Sequence, residues 1–178
     1  MFNKQKQLLI LTLLVVIFTE GVLGAQYCPP FWTQFHLPTG VFCYRFFGLK
    51  QTWFEAEQTC ASFTACEGRE LAHLVSVTNF NEEVFITEYR QFMLGFFGLG
   101  EPGMWIGYND LDIEADWKWT DPYIQSDFNN WGTRSPKMKT SKNRFDCAYQ
   151  LVTNSGRSRW KDKDCKEQHA FMCKMGAL

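Results

Sequence analysis

Met104-Trp-Ile-Gly-Tyr108, with Trp117-Lys-Trp-Thr-Asp121 shortly after it, is the stretch on which the fold turns. Both runs are short, aromatic and β-prone, so Met104–Tyr108 and Trp117–Thr120 read as strands. Between them Asp110, Asp112, Glu114 and Asp116 place a carboxylate at every second residue. Downstream, Asp121 to Asp146 has almost no apolar periodicity, and a loop of that length in a compact domain generally carries function. Two further strands are expected at Cys147–Val152 and Ala170–Lys174. Upstream, Gly95-Phe-Phe-Gly-Leu-Gly-Glu-Pro-Gly103 reads as loop. Before it, Thr78–Phe92 reads as a helix with Phe85, Tyr89 and Phe92 on a common side. An earlier helix opens at Thr52-Trp-Phe-Glu55, an S/T-x-x-E capping box. Its buried face is expected to be Trp53, Ala56, Cys60 and Phe63, and an aromatic strand, Val41–Phe47, precedes it. Helices and short strands in this order give an α+β domain. No repeat, low-complexity tract or linker divides it, so residues 26–178 read as one domain.

The chain has 178 residues, seven cysteines and a formal charge of −1. A near-neutral balance supplies no global field to attract nucleic acid. Residues 1–25 have the layout of a secretory signal peptide. Lys4 and Lys6 precede a largely apolar run, Leu8 to Phe18, and small residues follow with cleavage expected near Gly24/Ala25. That run is about half of what a membrane span needs, so no membrane insertion is expected. Secretion places the seven cysteines in an oxidising compartment, where they read as a disulfide scaffold. An odd number leaves at least one thiol free or paired with another chain.

Motifs in a fixed order give the sequence a closer likeness. They are Cys28-Pro-Pro-Phe-Trp32, Cys43-Tyr-Arg-Phe-Phe47, Thr52-Trp-Phe-Glu-Ala56, Leu74-Val-Ser76, Trp105-Ile-Gly107, Trp117-Lys-Trp-Thr-Asp121 and Asn130-Trp131. Asp146-Cys147, Trp160-Lys-Asp162, Cys165 and Phe171-Met-Cys173 complete the series. Over essentially the whole chain beyond residue 25, this series resembles the C-type lectin family. The opening stretch is most similar to secreted single-domain lectins of invertebrates, echinoderms in particular. The resemblance implies the C-type lectin-like fold in its long form: two helices packed on small antiparallel sheets, a long binding loop and three disulfides. It pairs Cys28–Cys43, Cys60–Cys173 and Cys147–Cys165, a choice that spacing alone does not make. Cys66 is then left over, as a buried free thiol or as the link of a disulfide-bonded homodimer.

Sugar-binding members of the family hold one Ca²⁺ through a Glu-Pro-Asn type triplet, a Glu two residues before the third conserved cysteine, and a Trp-Asn-Asp triplet. Here those positions read Ser135-Pro136-Lys137, Phe145 and Trp160-Lys161-Asp162. Ca²⁺ takes six to eight hard oxygen ligands. Of this set only Asp162 offers a carboxylate, and Lys137 and Lys161 repel the ion. Glu101-Pro102-Gly103 has the look of the missing triplet but lies in the wrong loop. At an auxiliary site Asp110, Glu114 and Asp146 match three family ligands, while the fourth, near Met138, is missing. Calcium is therefore expected weakly at that site or not at all, and no other cofactor is expected.

Arg134, Lys137, Lys139, Lys142 and Arg144 occupy the loop with no acidic residue among them from Thr133 to Arg144. Arg157, Arg159, Lys161 and Lys163 lie in the segment the fold places beside it. This patch reads in two ways. It is a solvated loop whose ammonium groups neutralise Asp110, Glu114, Asp146 and Asp162, or it is an anion site for sulfated or otherwise acidic glycans. Trp131 and Trp160, near the same end, are the candidate sugar-stacking rings. His36, His73 and His169 belong to no hydrolase or phosphate-binding motif, so no enzyme is expected. The expected function is a secreted binding module that recognises a glycan or glycoprotein without the calcium-bridged sugar contact. A structural matrix or mineral-associated protein, and a calcium-dependent lectin, are the alternatives.

Overall fold

A computed structural model describes residues 27–64, 71–100, 102–137, 145–153 and 156–177. Residues 1–25, Cys66, Glu101, Lys139, Lys142 and Arg144 lie outside that set, and with them the expectations placed on those residues. Ten elements follow in chain order: β1 (Thr33–Leu37), β2 (Gly40–Gln51), α1 (Trp53–Ala61), β3 (His73–Leu74), α2 (Phe80–Phe97), β4 (Gly103–Asn109), β5 (Lys118–Trp119), β6 (Cys147–Val152), β7 (Ser158–Lys163) and β8 (His169–Gly176).

Helix α1 starts where its capping box places it. The Glu55 N–H donates to Thr52 Oγ1, and the Thr52 N–H donates back to Glu55 Oε2 at 2.9 Å. Trp53, Ala56 and Cys60 form its buried face. Helix α2 runs five residues past its expected end. Gly95 is taken into the helix, and the stop is Gly98, in the left-handed region at φ 64°, with its N–H on the carbonyls of Gly95 and Leu94. That conformation favours a residue without Cβ. The loop expected from Gly95 therefore begins at Gly98, and Phe92, Phe96 and Phe97 stand exposed on the last turns. Phe92 accordingly does not share the packed side of Phe85 and Tyr89, which stack on each other at 5.9 Å.

The strands join in the order β1-β2-β8-β4-β6-β7, with β3 added to β8 and β5 to β4. All pairings are antiparallel except β4 with β8, which is parallel through Met104–Ala170 and Trp105–Phe171. The small antiparallel sheets of the expected fold are joined here into one mixed sheet, because β8 bonds both the N-terminal hairpin and, in parallel, the β4 layer. The Trp105-Ile-Gly107 run lies where β4 meets β8 and the chain just after β3. Trp53 Nε1 donates to the Ile106 carbonyl and Trp105 Nε1 to the Gln51 carbonyl, each at 3.0 Å. A Cβ on Gly107 would sit 2.6 Å from the Leu74 carbonyl oxygen, so the close passage of β4 over β3 needs glycine there. Three disulfides hold the frame: Cys28–Cys43 across the β1–β2 hairpin, Cys60–Cys173 from α1 to β8, and Cys147–Cys165 from β6 to the turn after β7. Their Cα separations of 5.5, 5.3 and 5.3 Å are ordinary for such bridges.

Candidate functional site

The long loop is tied down at its described end by hydrogen bonds to the sheet and to the segment leading into α2. Thr120 N–H donates to the Gly107 carbonyl at 2.8 Å, and Ser126 Oγ to the Thr78 carbonyl at 3.0 Å. Asn130 and Gly132 then run beside β7. The Trp160 N–H reaches the Asn130 carbonyl and the Gly132 N–H reaches the Trp160 carbonyl, both at 2.8 Å. This pairing puts the start of the basic loop against Arg159 and Lys161.

Underneath lies an acceptor that composition and periodicity do not reveal. Glu83 on α2 is 2% exposed. Its carboxylate accepts from Asn130 Nδ2 (3.1 Å), Gln150 Nε2 (3.0 Å), Trp160 Nε1 (3.1 Å) and the Ser158 hydroxyl. One side chain thereby joins α2 to the loop, β6 and β7. Its neighbour Glu82 makes a second buried node, accepting from Lys174 Nζ at 2.6 Å and from Tyr44 Oη, Thr78 N and Thr78 Oγ1 at 2.7 Å. Burial pulls the Lys174 ammonium below its ordinary pKa, and Glu82 works against that pull. Buried charges persist in proteins when they are paired and hydrogen-bonded in this way. The Asn79 N-cap, whose Oδ1 accepts the Glu82 N–H, is the one local signal that marks this start.

Trp160 is corrected as a stacking ring. Its indole is fully buried, packed on Trp119, Phe128 and Trp131 and held by Glu83, so it has no face for a sugar. Trp131 is half-buried, with Trp117 at 4.6 Å and Tyr108 at 5.9 Å. Arg134 stands exposed at φ 68°, next to the cis Ser135–Pro136 peptide. Lys137 Nζ lies 3.8 Å from the centre of the Phe145 ring. These are two of the positions at which the family resemblance puts calcium ligands. Lys161 is exposed, Arg159 half-buried, and Lys163 turns away to Glu167 and the Tyr149 ring.

The principal calcium site implied by the resemblance does not fit these residues. Asp162 is buried with neither carboxylate oxygen hydrogen-bonded, so one ligand is in place. A phenyl ring and an ammonium in mutual contact occupy two of the other positions and offer the ion no oxygen. At the auxiliary position the Asp110 N–H donates to the Asp146 carbonyl at 3.1 Å. Burial raises the Asp110 carboxyl's pKa, the Ala115 N–H on its Oδ2 opposes this, and the charges of Glu114 and Asp146 add to the rise. Among the described residues, no group of three or more His, Cys, Asp or Glu side chains is gathered as a metal centre.

The Lectin C-type domain model matches residues 49–175. Echinoidin of Heliocidaris crassispina is 36% identical over 83% of this chain and 96% of its own. The Alpha-N-acetylgalactosamine-specific lectin of Patiria pectinifera is 34% identical over 83% of this chain and 82% of its own. Among solved structures, the C-type lectin CEL-I of Cucumaria echinata superposes with a TM-score of 0.69 at 28% identity, over 83% of this chain and 96% of that one. No helix among the described residues is long and apolar enough to cross a membrane.

Proposed function

This chain belongs to the C-type lectin family, and on that premise we propose that it is a secreted, non-enzymatic module binding carbohydrate through its basic long loop, without a calcium bridge. The observation that carries the reading is the Lys137 ammonium seated over the Phe145 ring. That contact is a cation–π pair in the place of ion ligands, and it makes the loop tip basic where calcium coordination needs oxygen. Arg134, Lys137 and Lys161 then offer charge to an acidic or sulfated glycan, with the half-buried Trp131 beside them in sequence. Carbohydrate as the ligand class is supported by the relatives, one of which is named for alpha-N-acetylgalactosamine. The three histidines support no catalytic role: His73 is committed to Glu57 and His169 to Glu167, and His36 lies at the Gln34 amide.

A glycan array run with calcium, with EDTA and at two salt concentrations tests the proposal. Binding to sulfated or carboxylated glycans that weakens with salt and ignores EDTA is the expected result. No glycan signal under any condition would sink it. One observation favours a second reading: Asp162 and Asp110 Oδ1 are buried carboxylate oxygens without hydrogen bonds. Glycan binding that vanishes with EDTA would establish calcium-dependent recognition and displace the basic-loop reading. A homodimer linked through Cys66 would run at twice its reduced mass on a non-reducing gel.

A further inference from the structure

The geometry points to a second sugar subsite, apart from the basic end of the long loop, in the cleft between α2 and the start of β7, fitted to one pyranose ring carrying a carboxylate. The cleft encloses about 420 Å³, within the size range of small-ligand sites. One wall is a single stripe of α2, on which Phe80, Glu88 and Gln91 line the cleft. Phe80 is 68% exposed. It supplies the apolar face that the C–H side of a sugar ring packs on, while Glu88 and Gln91 supply acceptors and a donor for hydroxyls. The opposite wall carries Arg157 and Arg159 beside Asn130.

These arginines are what make an acid the fitting ligand. Arg159 is held in place by its Nη1, which donates to Asn130 Oδ1 at 2.9 Å and to the Ser158 carbonyl at 2.8 Å. Both acceptors are neutral, and no hydrogen bond engages Nε or Nη2 among the described residues. Arg157 is exposed and pairs with no carboxylate among them. The nearby Glu83 charge is already committed to its four donors. Two guanidiniums without a direct ion pair among the described residues, one of them preorganised by Asn130, form a fork for a planar carboxylate. The exposed Glu88 on the far wall disfavours an anion there. The ligand is thus oriented with its acid toward β7 and its hydroxyls toward α2. The subsite rests on the carbohydrate-binding reading for its ligand class and on none of the basic loop residues Arg134 and Lys137.

Backbone NMR titration of the chain with glucuronate, N-acetylneuraminate and glucose separates the alternatives. Shifts at Phe80, Glu88, Arg157 and Arg159 with either acid but not with glucose support the subsite, and the stronger acid tells an internal uronate from a terminal sialic-type sugar. Arg157→Ala should then weaken that acid by about tenfold or more, with backbone shifts elsewhere unchanged. Equal response to glucose, response confined to residues 133–137, or none at all would each overturn it. The two proposals fail separately. A silent glycan array beside cleft shifts removes only the loop reading, while array signal unaffected by Arg157→Ala, with no cleft shifts, removes only the subsite.

Discussion

Glu83 answers to four donors from three separate stretches of chain, and removing it strands those of Gln150, Ser158 and Trp160 in the interior, while Asn130 Nδ2 keeps the Ser158 carbonyl. Each buried donor left without a partner costs about 1–3 kcal/mol. Glu83→Ala is therefore expected to lower stability by about 3 kcal/mol or more, read from urea unfolding. Glu83→Gln should fall between, since its amide keeps one acceptor but turns a donor toward another donor. Nothing about Glu83 in isolation announces this. A Glu in a first helical turn ordinarily faces water and the helix dipole, and only the tertiary contacts with Asn130, Gln150, Ser158 and Trp160 distinguish it. Gly107 was more legible, as part of the Trp105-Ile-Gly107 motif on which the family resemblance rests.

At the level of elements, α1 and β3 are joined by one carboxylate. Glu57 Oε1 meets His73 Nδ1 at 2.6 Å and Glu57 Oε2 accepts the Leu74 N–H at 2.8 Å. The bond to Glu57 raises the His73 pKa, against the opposing effect of burial. A raised pKa in the folded state means that the protonated form is the stabilised one. This contribution is complete below the ordinary histidine value, about 6.5, and disappears as pH climbs through the folded value. Thermal melts between pH 5 and 9 should show that loss in the parent, and His73→Asn should flatten it. The loop offers a second test. Ser135→Glu, Lys137→Asn, Phe145→Glu and Lys161→Asn together put oxygen ligands back around Asp162. The parent should show little rise in Tm with millimolar calcium, and the fourfold variant a rise of several degrees. Helix α1 was readable from Thr52 and Glu55 because its signals are local. Helix α2 was not fully readable, because its buried stripe, Glu82, Glu83, Ile86, Thr87 and Arg90, is mostly polar and carries no apolar period. Strand β7, whose buried side is Ser158, Trp160 and Asp162, was hidden for the same reason.

For the molecule as a whole, Cys60–Cys173 closes a separation of 113 residues and Cys28–Cys43 one of 15. In the loop-entropy account the longer bridge contributes about 4–5 kcal/mol and the shorter about 3. Cys60→Ala with Cys173→Ala should thus lower the denaturation midpoint more than Cys28→Ala with Cys43→Ala does. If the hairpin pair costs more, the bridges act through native packing and not through chain entropy. The strand order has a further outcome. Cys28 is bridged to β2, and Ala177 donates its N–H to the Val41 carbonyl at 2.9 Å, so both outer segments of the described chain gather at the β1–β2–β8 side. The loop and the α2–β7 cleft lie by β7, at the other end of the strand order. Several copies tethered at the hairpin side would all point the loop and the cleft outward, and weak sites displayed in that way would gain avidity without a new contact.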